Sequence, residues 1–190
     1  MKVGQIIAQM VPKQEDWKIK EIKMKLDIDG LKLILLNNSE SEIKEALNHF
    51  DLSSFDRNGN NVLHYFIKSD VSEKRQAEDI LRFFIDAGID INAKQTKMPK
   101  RTALHLAVMK KLKNVFDILL RNGADINAQD GNGNTALSEA IMAYRNDDGY
   151  FIETLIANGA RIDLANNYGV TAKGLSDTIA NYNSKIFFDK

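Results

Sequence analysis

Three segments of this chain spell nearly the same sentence, and that self-similarity constrains the fold more than any other feature. The first reads "DRNGNNVLHYF" and later "ILRFFIDAGIDINA", the second "RTALHLAV" and later "VFDILLRNGADINA", the third "DGNGNTALSEAI" and later "FIETLIANGARIDLA". Leu104 to Leu137 is 33 residues, Gly88 to Gly123 is 35 and Gly123 to Gly159 is 36. A partial fourth start follows in "NNYGVTAKGL". A fixed period of this length marks a stack of supersecondary units, because one unit cannot bury its apolar face alone.

Each unit has a physical reading. In the second, Ala103, Leu104, Ala107 and Val108 recur at helical spacing and predict a short helix with small residues on one face. Val115, Phe116, Ile118, Leu119 and Leu120 predict a second helix, with Asn114 as its N-cap. Gly88, Gly123 and Gly159 fit the left-handed position that closes a helix. "IDINA", "ADINA" and "ARIDLA" then predict a short extended piece, and "DRNG", "DGNG" and "NNYG" a turn. The unit is therefore helix, turn, helix and hairpin-like loop, and contacts run between adjacent units.

The stretch "TALHLA…NVFDILLRNGADINAQDGNGNTAL" resembles an ankyrin repeat, whose period is about 33 residues with a T-P-L-H-x-A signature. The resemblance covers Asp56 to about Leu175, with Val62, Ala103 and Ala136 standing where the family has proline. It implies an all-α ankyrin-repeat solenoid. On this reading residues 1–28 are an N-terminal extension, 29–55 a degenerate capping repeat, 56–165 three repeats and 166–190 a C-terminal cap, all in one domain. Ser39 and Glu42 form a capping box before Ile43, Ala46 and Leu47. "WKIKEIKMKLDI" reads either as a basic amphipathic helix or, by its Trp17/Ile19 and Ile22/Met24/Leu26 alternation, as a strand. "SKIFFDK" either docks or dangles.

His105 could be a base, a ligand or scaffolding. His64 occupies the same repeat position, with Ser138 there in the third segment, and a residue placed by the repeat is a repeat feature. The family resemblance implies that its ring bonds backbone near the turn and links adjacent units. His49 closes a predicted helix, where a cation is mildly favoured. No H-x-x-x-H or H-E-x-x-H spacing occurs and there is no cysteine, so no metal site and no thiol chemistry are expected. "DRNGNN" and "DGNGN" mimic calcium loops but place Ile67 and Ile141 where the closing glutamate belongs. Nucleotide-loop and nucleophile-elbow motifs are missing, and the Asp147/Asp148 pair reads as solvated surface. The expectation is a non-enzymatic chain without cofactors.

Function is sought where the repeats depart from one another. Asn92 to Thr102 spans ten residues against eight from Asn127 to Thr135, so Lys97, Met98, Pro99 and Lys100 should stand proud at a hairpin tip. His64 to Gly88 spans 24 residues and Ser138 to Gly159 spans 21, against 18 from His105 to Gly123, so "KSDVSEKRQAED" and "YRNDDGY" carry insertions. By resemblance, hairpin tips and first helices form one concave binding face. Its free positions here are Tyr65, Lys68, Leu106, Met109, Lys110, Glu139 and Met142. Leu106 and Met109 are apolar where the scaffold makes no demand, so they read either as a protein-binding patch or as packing against a neighbouring first helix.

Lys+Arg and Asp+Glu both number 26, which gives no global pull toward nucleic acid or membrane. Yet Lys94 to Lys113 holds seven basic residues and no acidic one. That block suits an acidic protein partner better than a nucleic acid, since no aromatic side chains interleave it to stack bases. The N-terminal apolar patch, broken by Gln5 and Gln9, is too short and polar for a signal peptide, and no run reaches the roughly eighteen apolar residues of a membrane span. The expected protein is a cytoplasmic, monomeric protein-binding module. An inhibitor or immunity protein of a bacterium is one form, a host-directed adaptor another, and phosphate or nucleic-acid binding through the basic block the alternative class.

Overall fold

The computed structural model of the chain describes residues 40–47, 50–69, 77–145, 149–178 and 183–188. The extension 1–28, Ser39, His49, the Asp147/Asp148 pair and residues 70–76 of the first insertion lie outside them. Among the described residues there are eight α-helices and no named strand. They are α1 (Glu40–Leu47), α2 (Val62–Lys68), α3 (Ala77–Asp86), α4 (Ala103–Met109), α5 (Lys113–Arg121), α6 (Ala136–Ala143), α7 (Tyr150–Ala157) and α8 (Ala172–Thr178), followed by a 3₁₀ turn, Ser184–Phe187. The chain divides into two compact units, Met1–Asp90 and Ile91–Lys190.

In the first unit α1 packs on α3, and Ile43, Ala46 and Leu47 are buried as their spacing predicts. Phe66 of α2 meets Phe84 of α3 edge to face at 5.6 Å. Asn61 caps α2 by accepting from the His64 amide at 2.9 Å, while the Asn61 amide donates to His64 Nδ1 at 3.2 Å. The repeat's histidine thus closes the start of its own helix.

In the second unit the first helices stack in sequence, α4 on α6 and α6 on α8, and each of α5 and α7 packs on the helix before it. Alanines make the close stacking possible: Ala103, Ala107, Ala136, Ala140 and Ala172 are all buried. The larger core side chains lie between first and second helices, with Leu104, Phe116, Leu119, Leu137 and Leu155 almost wholly enclosed. Phe116 meets Phe151 edge to face at 5.1 Å. α5 starts at Lys113 with Leu112 at its N-cap, two residues earlier than an Asn114 cap predicts.

The helix ends follow the predicted glycines. Gly123 and Gly159 have φ of +85° and +86°, and the amides of Ala124 and Ala160 reach back to the carbonyls of Leu119 and Leu155 at 3.0 and 2.9 Å. The D-I-N residues turn instead of extending, and their asparagine side chains reach the following repeat. Asn92 Oδ1 accepts from the Asp125 amide at 2.8 Å, and Asn127 Oδ1 accepts from the Arg161 amide at 2.8 Å. Each asparagine therefore ties its own repeat to the next helix end.

The hairpins interlock in the same direction. Gly131 N–H donates to Pro99 O at 2.6 Å, and Asn167 N–H donates to Asn132 O at 2.9 Å. Only glycine fits at the contact. A Cβ on Gly133 (φ +81°) would lie 2.7 Å from the Asn167 amide nitrogen and 2.9 Å from Asn166 Cα. The C-terminal segment docks: Phe187 lies edge to face on Tyr144 at 5.3 Å and against Gly149.

These two kinds of glycine should respond differently to alanine. Gly123→Ala meets nothing within 4 Å and faces only the left-handed backbone penalty of roughly 1–2 kcal/mol. Gly133→Ala adds a backbone clash and should lower the melting temperature clearly more than Gly123→Ala. Equal melting curves for the two variants would contradict the interlock.

Candidate protein-binding face

His105 is fully buried, and its contacts settle its role. Its Nε2 lies 2.9 Å from Asn134 O, and a carbonyl can only accept, so Nε2 carries the proton. Nδ1 then accepts, from Thr102 Oγ1 at 2.8 Å and from the Thr102 amide at 3.4 Å. The ring joins the start of α4 to the hairpin of the following repeat, the scaffolding role that the repeat position predicts. Burial pushes its pKa below the ordinary 6.5, against the Asn134 carbonyl and the Asp130 and Glu139 carboxylates, which pull upward.

The calcium-loop mimicry resolves the same way. Asp130 Oδ1 accepts from the amides of Asn132 and Asn134 at 2.8 and 2.9 Å, and Asp56 Oδ1 serves Asn58 and Asn60 at 2.8 Å each. Asn166 repeats the pattern with Tyr168 and Val170. These side chains hold turns. Among the described residues no group of three or more His, Asp or Glu side chains could hold a metal. A cleft lined by Val108, Ala140, Tyr144 and Ile152 has a volume of only about 20 Å³.

The second hairpin differs from the others as its length predicts. The Gln95 amide donates to Arg101 O at 3.0 Å across six residues, whereas Asp130 to Asn134 and Asn166 to Val170 close over four. In the shorter turns the residue before the closing position is Gly59, Gly133 or Gly169, with φ from +74° to +81°. The long turn has Lys100 there, at φ +56°. A lysine in the left-handed region is strained by roughly 1–2 kcal/mol. Lys97 and Lys100 are exposed, Met98 is 59% exposed and Pro99 is half-buried. The Met98–Pro99 peptide is cis. These four predicted residues share one tip.

The predicted first-helix positions separate. Met109 is 41% exposed, Lys110 is exposed and Met142 half-buried. Leu106, however, is only 6% exposed, so it serves the packing of the stack and is not a free contact. Glu139 is likewise 6% exposed: Arg101 grips its Oε1 through Nη2 at 2.7 Å and Nε at 3.0 Å. That pair ties the hairpin arm to α6 and takes Glu139 out of the binding face. Tyr65, in the other unit, is half-buried, and Lys68 donates to Asn60 Oδ1 at 3.4 Å.

The basic block is partly employed as well. Arg101 is paired with Glu139, and the Lys113 ammonium lies 4.7 Å above the Tyr150 ring. Tyr150 in turn donates its hydroxyl to Asp117 at 2.6 Å, which raises its pKa. Two features escaped sequence reasoning. Tyr168, 77% exposed at the third tip of this unit, lies in a stretch read only as a turn. The Arg101–Glu139 pair spans 38 residues and has no local signature. Its trace is a charged residue where the other repeats place Tyr65 and Leu106.

Comparison with known proteins agrees with this geometry. The family model for ankyrin repeats (3 copies) matches residues 31–130 and 69–166, so the chain belongs to the ankyrin repeat family. An ankyrin repeat protein of fowlpox virus (strain NVSL) is 34% identical over 102 residues, 53% of this chain and 29% of that protein. Serine/threonine-protein kinase 12 of Arabidopsis thaliana is 36% identical over 93 residues, 49% of this chain and 19% of the kinase. The chain spans less than a third of the length of these relatives. Ankyrin repeats are generally protein–protein interaction modules. No helix among the described residues is long and apolar enough to cross a membrane.

Three outcomes follow at these residues. His105→Ala strands the Asn134 carbonyl and Thr102 groups and should cost about 1–3 kcal/mol in chemical denaturation. Because the folded ring resists protonation, stability is full above pH 6.5 and falls as pH drops below it toward the folded pKa. His105→Asn should therefore lose less stability than wild type between about pH 7.5 and about pH 5.5. An identical acid-side loss in both would contradict the assignment. Lys100→Gly should leave the melting temperature equal or higher, since relief of about 1–2 kcal/mol offsets glycine's entropic cost of roughly 0.5–1 kcal/mol.

Proposed function

We propose that this chain is a non-enzymatic binding module that holds one protein partner at the tip of the second hairpin and along the exposed end of α4. Lys97, Met98, Pro99 and Lys100 form the centre of the contact, with Met109, Lys110 and Met142 extending it over the first helices. One observation supports this reading most: the turn keeps a lysine at φ +56° where its sister turns have glycine, and holds a 59%-exposed methionine two residues before it. Strained backbone and exposed apolar surface both concentrate at binding sites.

Within that class we favour a cytoplasmic, monomeric inhibitor that blocks a partner such as a toxin, in the manner of an immunity protein. An adaptor directed at a host protein is the alternative. The basic block supports phosphate or nucleic-acid binding less well, since Arg101 and Lys113 already have partners.

A photo-crosslinking benzoylphenylalanine tests this at position 98, with the exposed position 153 of α7 as control. Position 98 should capture a discrete protein from the source cell, and Lys97→Glu with Lys100→Glu should abolish that capture without changing the melting curve. Equal capture at both positions, or capture indifferent to the charge reversal, would overturn the proposal.

A further inference from the structure

Resting on that reading, we infer that the hairpin tips of the second unit recognise an acidic protein segment that carries apolar side chains at intervals. Counted within this unit, three hairpins (Gln95–Arg101, Asp130–Asn134 and Asn166–Val170) are joined edge to edge, by Gly131 N–H to Pro99 O and by Asn167 N–H to Asn132 O. Their tips therefore form one continuous edge, with Met98 on the first hairpin and Tyr168 on the third, 59% and 77% exposed. These are the two most exposed large apolar side chains among the described residues. The third hairpin is otherwise capped by Asn166 and Gly169, so nothing in its own turn asks for a tyrosine.

The charge along this edge has one sign. Lys94, Lys97 and Lys100 are exposed on the first hairpin. Between Gln95 and Arg101, Asp130 and Asn134, and Asn166 and Val170, the one carboxylate is Asp130, which is buried and accepts backbone amides. Glu139, the nearest other acid by contact, is spent on Arg101. At the turns themselves a partner meets ammonium groups and two apolar side chains and no accessible carboxylate; Asp163, exposed ahead of the third turn, is paired with Arg161 at 3.0 Å. Acidic residues in that partner gain attraction without like-charge opposition, and an aromatic or aliphatic side chain covers Met98 or Tyr168. A polyphosphate backbone would satisfy the lysines but leave both apolar side chains exposed.

The probe is a fluorescein-labelled random copolymer of glutamate and tyrosine, titrated with the full chain and read by fluorescence anisotropy. Polyglutamate of the same length and a single-stranded oligodeoxynucleotide are the comparisons. The copolymer should bind at least about tenfold tighter than either, since covering apolar side chains adds to the charge attraction. Met98→Ser with Tyr168→Ser should weaken the copolymer about tenfold and leave polyglutamate unchanged. Lys97→Glu with Lys100→Glu should abolish binding of both, and circular dichroism should show all variants folded. Oligodeoxynucleotide binding as tight as the copolymer, or copolymer binding indifferent to either double variant, would overturn the inference. If that happens while position 98 still captures a protein, the acidic chemistry alone is refuted; loss of capture as well refutes the binding face.

Discussion

A helix of seven to nine residues, the length of α4 to α8, is too short to be stable by itself in water. Every helix of the second unit therefore depends on its neighbours, and the polar groups at its ends must find partners outside the helix. The structure answers this with side chains at fixed repeat positions. Asn92 and Asn127 take up amides of the following repeat, His105 takes up the Asn134 carbonyl, and Asp130 closes the turn between them. Burial of alanine and leucine faces supplies the attraction; these polar links set the spacing and register at which the faces meet.

This division of labour decides which residues remain for recognition. A side chain that points into the stack or completes a neighbour's backbone has a structural task already. Leu106, Glu139 and His105 all fall into that group, although their residue types suggest contact or chemistry. The side chains left over sit on the turns and at the outer end of α4. There the second hairpin has gained length, charge and an exposed methionine while losing the glycine its sister turns use.

Much of this was legible in the residues. The period, the paired helices, the closing glycines and the scaffolding histidine follow from patterns that local physics enforces: helical spacing of apolar residues, and a left-handed backbone that only glycine takes without strain. The longer hairpin was legible because its length can be counted against its siblings. The burial of Leu106 was not, because first helices stack closely enough to enclose a position that looks free when one repeat is considered alone. The Arg101–Glu139 pair was hidden because its members come from different repeats. Likewise Phe187 finds its seat on Tyr144 and Gly149 only once the chain has folded back, and nothing in "SKIFFDK" distinguishes docking from dangling.

The central claim is that repeat-to-repeat polar links, and not helix packing alone, hold the second unit as one array. Native-state amide hydrogen exchange tests it at four amides outside the helices: Asp125, Gly131, Arg161 and Asn167, whose acceptors lie in the adjacent repeat. The account predicts that all four exchange as slowly as the buried helical amides of α4 and α6, opening only when the array unfolds. Rapid exchange at Gly131 and Asn167, with α4 and α6 still protected, would show that the hairpins ride passively on the helices and would contradict it.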